Sequence, residues 1–484
     1  LSFVYSGNFK GEAEKDQYGQ TRVIMGLQDE LFSYRLKPGE AFYGPEVILS
    51  YSGEGIGKLS RNFHKVIRHN LCRGKFKEMP RPVLVNNWEA TYLDFTGEKI
   101  CEIGRQAAEL GIEMLVLDDG WFGKRDSDSV SLGDWVVNEK KLGGPLSSIV
   151  ERVNAMGLKF GLWVEPEMVS EDSDLYRAHP DWAMVIPGRR PVRSRQQLVL
   201  DFSREEVADY IFDSLCRVLD SANVEYLKWD MNRSVIDVYS ALAGCAEQGE
   251  VLYKYTLGLY RFLDRIGRRY PNILIEGCCG GGGRFDAGML YYGPQIWCSD
   301  NTDAIDRIRI QYGTSFGYPI SAVGSHVSAV PNHQTGRSVP LKTRGAVAMA
   351  GSFGYELDLG KLTPAEKEEV KAQVKAYKDN WKLIQDGEYY RLSNPYEPDG
   401  LGAWEFAAED GSEALLTVVA LNTHGNPLTS YVRLKGLRAD GWYRDEAAGK
   451  MYEGRALMEG GIPVPHMEDE YQSWQMHLRL CGER

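Results

Sequence analysis

The chain has 484 residues, 43% hydrophobic and 26% charged, which is ordinary for soluble globular proteins and leaves room for about two to four domains. No uninterrupted apolar run approaches the roughly 18 residues that cross a bilayer, which excludes a transmembrane protein. A net charge of −12 without a concentrated basic patch sets aside nucleic acid and anionic membrane surfaces as partners. The aromatics (11 Trp, 27 Tyr, 16 Phe) and 52 glycines supply flat faces and tight turns that suit sugar binding, as they also suit a large core. Eight cysteines lie scattered without a CxxC pair, so a reduced, cytoplasmic compartment is expected.

In chain order, residues 1–53 read as short strands, 41–51 among them, and as the last stretch of a longer N-terminal β-domain. A helix over 56–72 leads out of them. From about 80 to 384 strand and helix alternate, with strands predicted at 83–86, 114–117, 159–164, 225–229, 273–275, 296–298, 320–323 and 353–357. Between them, Ile100, Ile103, Ala107 and Leu110 share one helical face, and Ile149, Val153 and Met156 another. Ser203 with Glu206 spells a capping box, and Thr363 with Glu366 spells a second, with Pro364 at the first helical position. Eight such strands over about 300 residues predict a (β/α)8 TIM barrel. A doubly wound open sheet is the rival. It is disfavoured because no GxGxxG or P-loop turn follows a strand, and the glycines at 280–283 have neither spacing. A ninth strand-like stretch, 198–202, is set outside the barrel because no full helix fits between it and residue 164. Beyond about 386 the helical period vanishes, and strands at 413–421, 431–434 and 474–480 predict a C-terminal antiparallel β-sandwich. The expected division is 1–76 for the N-terminal remnant with its linker helix, 77–385 for the barrel and 386–484 for the sandwich.

In such a barrel the C-terminal strand ends line the active site. Those ends carry Trp88, then Asp118 and Asp119, Trp163 and Glu165, Lys228 and Asp230, Glu276 and Cys278, and finally Ser299, Asp300 and Asp303. Carboxylates and tryptophans gather there, while of eight histidines only His326 falls near a strand end. Glycosyl transfer needs little else: one acid attacks or stabilises, another gives and takes the leaving-group proton. A metal site is the competing use of such acids. No HxH or HExxH occurs, and Lys228, two residues from Asp230, opposes a bound cation, so neither metal nor other cofactor is expected. Several acids also have structural uses. Asp118-Asp119 before Gly120 is ordinary turn chemistry, Glu165 and Glu167 read best as an acidic pair starting a helix, and Asp201, Asp303 and Asp306 suit helix N-termini. Asp230 resists such an account, because a lone charge after an apolar strand is costly to bury. The residues alone predict a glycosidase-like barrel and leave open which acid attacks and which protonates.

Five stretches, LVLDDGWF (115–122), FGLWVEPEM (160–168), YLKWDMNR (226–233), EGCCGGGGRFD (276–286) and CSDNTDAIDRI (298–308), resemble the α-galactosidases of glycoside hydrolase family 36, the microbial raffinose and melibiose hydrolases. The resemblance implies a retaining mechanism, with Asp230 as the nucleophile that forms a β-galactosyl-enzyme and Asp300 as the acid/base. Such chemistry asks for carboxyl groups about 5–5.5 Å apart whose pKa values are pushed in opposite directions. It also implies that Asp118 and Asp119 read the axial 4-hydroxyl and the 6-hydroxyl, and that Lys228 and Arg195 hold the 3- and 4-hydroxyls. Cys278 and its following glycines would face the 2-hydroxyl with Asn232 nearby, and Trp88 and Trp163 would wall the pocket. Family members usually carry a full β-sandwich before the barrel, of which only the last stretch is expected here. A homo-oligomer is compatible with the family, and is weakened where that domain is absent. The expected activity is a metal-free, retaining exo-α-galactosidase acting on raffinose-type oligosaccharides and melibiose. The alternatives are an α-N-acetylgalactosaminidase, a galactosyl transferase using the same intermediate, or a non-catalytic galactoside-binding protein. A binder has no need of both Asp230 and Asp300.

Overall fold

The structure, a computed structural model, describes residues 1–397, 400–423, 425 and 428–483. Eight parallel strands close into a barrel: β1 (Leu84–Asn86), β2 (Met114–Leu117), β3 (Lys159–Val164), β4 (Tyr226–Trp229), β5 (Leu274–Gly277), β6 (Gln295–Trp297), β7 (Val323–Ser328) and β8 (Ser352–Glu356). Buried on both faces, several of these strands read as nearly unbroken apolar runs, MLVL in β2 and FGLWV in β3. Helices cover the outside, among them Gly97–Glu109, whose Ile100, Ile103 and Ala107 are fully buried. Thr363 and Glu366 form the predicted reciprocal capping box at the start of Pro364–Asp386.

Local expectations change in four places, and a fifth expectation, on residues 198–202, holds. The seventh strand starts at Val323 rather than at 320, because Ile320–Ala322 forms a single 3-10 turn after Pro319. The Ser203 box does not form. Asp201 Oδ1 takes both the amide and the hydroxyl of Ser203, and Arg204, paired with Glu206 at 2.8 Å, occupies the N-cap position of Glu205–Leu219 instead. The stretch 41–51 is strand only at Val47–Ile48, which pairs with Ser2–Phe3; Gly44-Pro45 interrupts what precedes it. As expected, Leu198–Val199 lies outside the barrel, in a short antiparallel ribbon with Met168–Val169. No helix starts at Glu165 and Glu167: the chain turns there into that ribbon, and both side chains are buried.

After the barrel, a six-stranded antiparallel sheet runs in the order Glu388–Arg391, Leu401–Ala407, Glu413–Ala420, Ser473–Glu483, Gly441–Asp445 and Met451–Glu453. The two-stranded pair Tyr431–Val432 and Ile462–Pro463 closes over it, so that Val432 and Ile462 share a core with Leu416, Val418, Tyr443 and Leu478. Before the barrel, the hairpin Phe9–Lys15 with Thr21–Leu27 stands out from the body, exposed over most of its length. The linker helix Gly55–Val66 is pinned to the barrel by His64, whose Nε2 lies 2.8 Å from the Ser315 carbonyl oxygen. Burial pushes that imidazole down to about 3, so the neutral ring donates the bond.

Candidate active site

The C-terminal ends of the strands open on a cavity of about 210 Å3. All ten residues that the family resemblance assigns to the site line it, whereas Glu165, Glu276, Ser299 and Asp303, also placed at strand ends by the sequence, do not. Trp88 follows β1, Asp118 and Asp119 follow β2, and Trp163 stands in β3. Arg195 comes from the β3–β4 connection, Lys228 from β4, Asp230 and Asn232 from just beyond it, Cys278 from after β5 and Asp300 from after β6. Period-2 geometry explains the fourth strand: Lys228 and Asp230 share the barrel-mouth face, while Trp229 between them points outward and donates its indole N–H to Glu167 at 2.9 Å.

Asp230 is buried and fully engaged. Oδ1 accepts the amides of Met231 at 2.8 Å and Gly280 at 3.0 Å, and Oδ2 accepts the Asn232 amide at 2.7 Å and the Trp163 indole at 3.2 Å. Burial by itself would raise its pKa. The Lys228 charge and the donors from Gly280, Met231 and Asn232 outweigh that, and hold the carboxyl below its ordinary value. Asp300 moves the other way. It faces the open cavity with, among the described residues, one hydrogen bond, from the Trp297 indole at 3.0 Å, and partial desolvation together with the charges of Asp230 and Glu356 raises its pKa. The pKa values of two carboxyls in one cavity are thus pushed in opposite directions.

A run of glycines joins them. Gly280 donates to Asp230, and at Gly281 (φ +80°) an added Cβ would stand 2.3 Å from the Asp300 amide nitrogen and 3.0 Å from its Cγ. The turn therefore needs residues without side chains, both for its left-handed backbone and for the approach to Asp300.

The opposite wall is also charged. Lys228 Nζ meets Asp118 Oδ2 at 2.8 Å, and the Asn86 side-chain amide donates to the same oxygen at 2.6 Å. Both partners are buried, and the acids Asp118 and Glu356 overcome desolvation to keep Lys228 protonated. Asp119 is gripped by Arg125 through Nε at 3.0 Å and a terminal nitrogen at 2.8 Å, which leaves its remaining lone pairs toward the cavity. Arg195, exposed, donates to Asn232 Oδ1 at 3.0 Å, so it is linked to Asp230 through one side chain. Trp163 stacks on Phe122 with ring planes 11° apart, and burial keeps Cys278 a thiol.

Glu89, Trp297, Thr302, His333, Gln334 and Glu356 complete the lining. Sequence reasoning passed over them. Glu356, the last residue of β8, and Trp297, the last of β6, were legible from their place at strand ends, whereas the loop residues carried no periodic signal. Glu165 lies buried beneath the site. Its Oε1 accepts from Gln197 at 2.6 Å and from the Asn232 amide, and burial with the Asp230 charge pushes its carboxyl up to about 8. Glu167 is a second buried support, paired with Arg284 at 2.7 and 2.9 Å.

An eight-stranded barrel that gathers paired acids, a buried lysine and indoles at its C-terminal mouth defines the class; comparison with known proteins supplies the family. Residues 41–387 match the Melibiase family, and residues 1–37 and 401–478 match the N-terminal and C-terminal domains of glycosyl hydrolase family 36. The chain belongs to glycosyl hydrolase family 36. It is 58% identical to the bifunctional alpha-galactosidase/sucrose kinase AgaSK of Mediterraneibacter gnavus, covering 98% of this chain and 50% of that protein. It is 53% identical to alpha-galactosidase AgaA of Geobacillus stearothermophilus, covering 100% of this chain and 66% of that protein. The crystal structure of AgaA superposes with a TM-score of 0.97 at 52% identity, over 99% of this chain and 67% of AgaA. A further structure shows a variant of AgaA in complex with raffinose. This chain thus spans half to two thirds of the length of these two curated relatives.

Proposed function

We propose that this chain is a retaining exo-α-galactosidase that releases terminal α-D-galactose from raffinose-type oligosaccharides and melibiose. One observation carries the reading: Asp230, held ionised by Lys228 and four hydrogen-bond donors, shares a cavity with Asp300, whose pKa is raised. The relatives named alpha-galactosidase and the raffinose complex of AgaA support the substrate class.

In the first half-reaction, the Asp230 carboxylate attacks C1 of the galactosyl unit from the β face. Its oxygen bonds to C1 as the C1–O glycosidic bond breaks, and the Asp300 carboxyl proton passes to the departing oxygen. In the second, ionised Asp300 takes a proton from water, the water oxygen bonds to C1, and the Asp230–C1 ester bond breaks. α-Galactose leaves with its configuration retained. Asp118, Asp119, Lys228 and Arg195 read the hydroxyls, Cys278 and Asn232 lie toward the 2-hydroxyl, and Trp88 and Trp163 form the apolar walls. Lys228 has a second task, since its charge keeps the nucleophile ionised as an acid beside it stays protonated.

We read residues 1–76, 77–385 and 386–484 as N-terminal portion with linker, catalytic barrel and C-terminal sandwich, with the linker helix Gly55–Val66 and the start of β1 at Leu84 supporting the first boundary. Placement in the cytoplasm is supported by eight cysteines that are all free thiols. Among the described residues no helix is long and apolar enough to cross a membrane.

The pH dependence of kcat/KM for melibiose tests the reading. The rate needs Asp230 ionised and Asp300 protonated, so it falls on the acid side as Asp230 takes a proton and on the alkaline side as Asp300 loses one. Because Glu356 raises the Asp300 pKa, Glu356→Gln moves the alkaline limb toward lower pH and leaves the acid limb nearly in place. Absence of any α-galactoside hydrolysis, or an alkaline limb that moves upward in the variant, contradicts the assignment.

A further inference from the structure

The loop that carries Asp300 is held from across the barrel mouth by a residue that the mechanism above does not use. Glu89 follows Trp88 in the short helix Trp88–Thr91 beyond β1. Its Oε1 accepts the hydroxyl of Thr302, two residues from Asp300, at 2.7 Å, and its Oε2 accepts the amide of Ala329, just past β7, at 3.1 Å. Thr302 is fixed in turn: its hydroxyl oxygen accepts the side-chain amide of Asn332 at 3.1 Å, and its carbonyl accepts the Ser328 hydroxyl at 2.9 Å. Gln334 donates to the Asp300 carbonyl at 2.9 Å. One carboxyl from the short helix beyond β1 therefore ties together the loops after β6 and β7. By contrast, among the described residues the Asp300 carboxyl itself receives only the Trp297 indole, so its aim depends on where its backbone is held.

We propose that Glu89 is a positioning residue for acid/base catalysis, fixing the Asp300 loop through Thr302 so that the carboxyl proton is aimed at the glycosidic oxygen. This rests on the proposed roles of Asp230 and Asp300. The nucleophile side of the cavity does not depend on Glu89, because Asp230 is held by Met231, Asn232, Gly280 and Trp163, none of which hydrogen-bonds to Glu89. The consequence is a selective one. A substrate whose leaving group departs without protonation tolerates a misaimed Asp300, and a sugar leaving group does not.

The test compares kcat/KM for 4-nitrophenyl α-galactoside and for melibiose, together with the Kd for galactose, in the wild type, Glu89→Ala and Glu89→Gln. A general acid contributes about 10²–10⁴-fold, so Glu89→Ala is expected to lose at least about 10-fold more rate on melibiose than on the nitrophenyl substrate. Its Kd for galactose should stay within about 3-fold, a shift too small to account for that loss. Glu89→Gln keeps an acceptor for Thr302 but cannot accept the Ala329 amide with its –NH2 group, and should recover part of the melibiose rate. Equal losses on the two substrates in both variants, or a loss confined to galactose affinity, overturn the proposal. If Glu89→Ala does not fold, Glu89→Gln alone decides: unequal losses support the role and equal or no losses refute it. A wild type inactive on both substrates would instead refute the α-galactosidase reading, and is distinguished by being measured first.

Discussion

Asp230→Ala is expected to reduce turnover of every α-galactoside by about 10⁴-fold or more, the scale on which removal of a covalent nucleophile acts. The structure says why affinity should survive. Lys228 retains its 2.8 Å contact with Asp118, so the substitution leaves no unpaired buried cation. The groups proposed to read the galactose hydroxyls stand on other strands and loops and keep their own partners. What is lost is the acceptor for the Met231 and Gly280 amides, the Asn232 side chain and the Trp163 indole, which leaves an anion-sized, donor-lined void at the β face of C1. Azide placed there should restore part of the rate by forming the C1–N bond as the protonated aglycone leaves. The product is β-galactosyl azide. Galactose binding within a few-fold of wild type, with azide rescue to the β-azide, fits a nucleophile; unchanged turnover or rescue to the α-azide does not.

The second large effect belongs to Asp300, and its signature is the leaving group. Asp300→Ala removes the proton that a sugar aglycone requires, at an expected loss of about 10²–10⁴-fold for melibiose or raffinose. With 4-nitrophenyl α-galactoside the first step needs little protonation, so the galactosyl ester on Asp230 forms and then accumulates because no base activates water. Pre-steady-state measurement should show a burst of nitrophenol followed by slow turnover. Azide, which needs no general base, attacks C1 of the galactosyl ester from the α face as the C1–O bond to Asp230 breaks, and gives α-galactosyl azide. Losses of equal size on the two substrates, without a burst, would mean that Asp300 is not the acid/base.

Much of this site was legible because its members stand at fixed places in a regular fold. Asp118, Lys228, Asp230 and Asp300 lie at or just past the ends of apolar strands, and a charge at such a place asks for a reason. The barrel was legible from its eight strands alternating with helices over about 300 residues. What stayed hidden has physical causes. β7 carries Gly324, Ser325 and His326 where other strands carry aliphatic residues: on the inward face Gly324 lies beside Glu276 and His326 Nδ1 lies 3.1 Å from Glu356, while on the outward face Ser325 accepts the side-chain amide of Gln311 at 3.4 Å. Glu165 and Glu167 read as the start of a helix because their partners are distant in sequence. Gln197, Asn232 and Arg284 approach only after the barrel closes. Ser203 and Glu206 have the spacing of a capping box, but Asp201, two residues earlier, competes for the Ser203 hydroxyl, an alternative that the local pattern does not reveal. Glu89 shows the same limit: its acceptor role depends on Thr302, which lies 213 residues away along the chain.

The central claim is double displacement through Asp230 with Asp300 as proton donor and acceptor, without a metal ion. Proton NMR of 4-nitrophenyl α-D-galactopyranoside hydrolysis in the presence of EDTA tests it most directly, because the anomer released first records the number of displacements at C1. The account predicts α-galactose as the first product, with the β anomer growing in only by mutarotation, at a rate unaffected by the chelator. First appearance of β-galactose would contradict the covalent mechanism, and loss of activity on chelation would contradict the metal-free site.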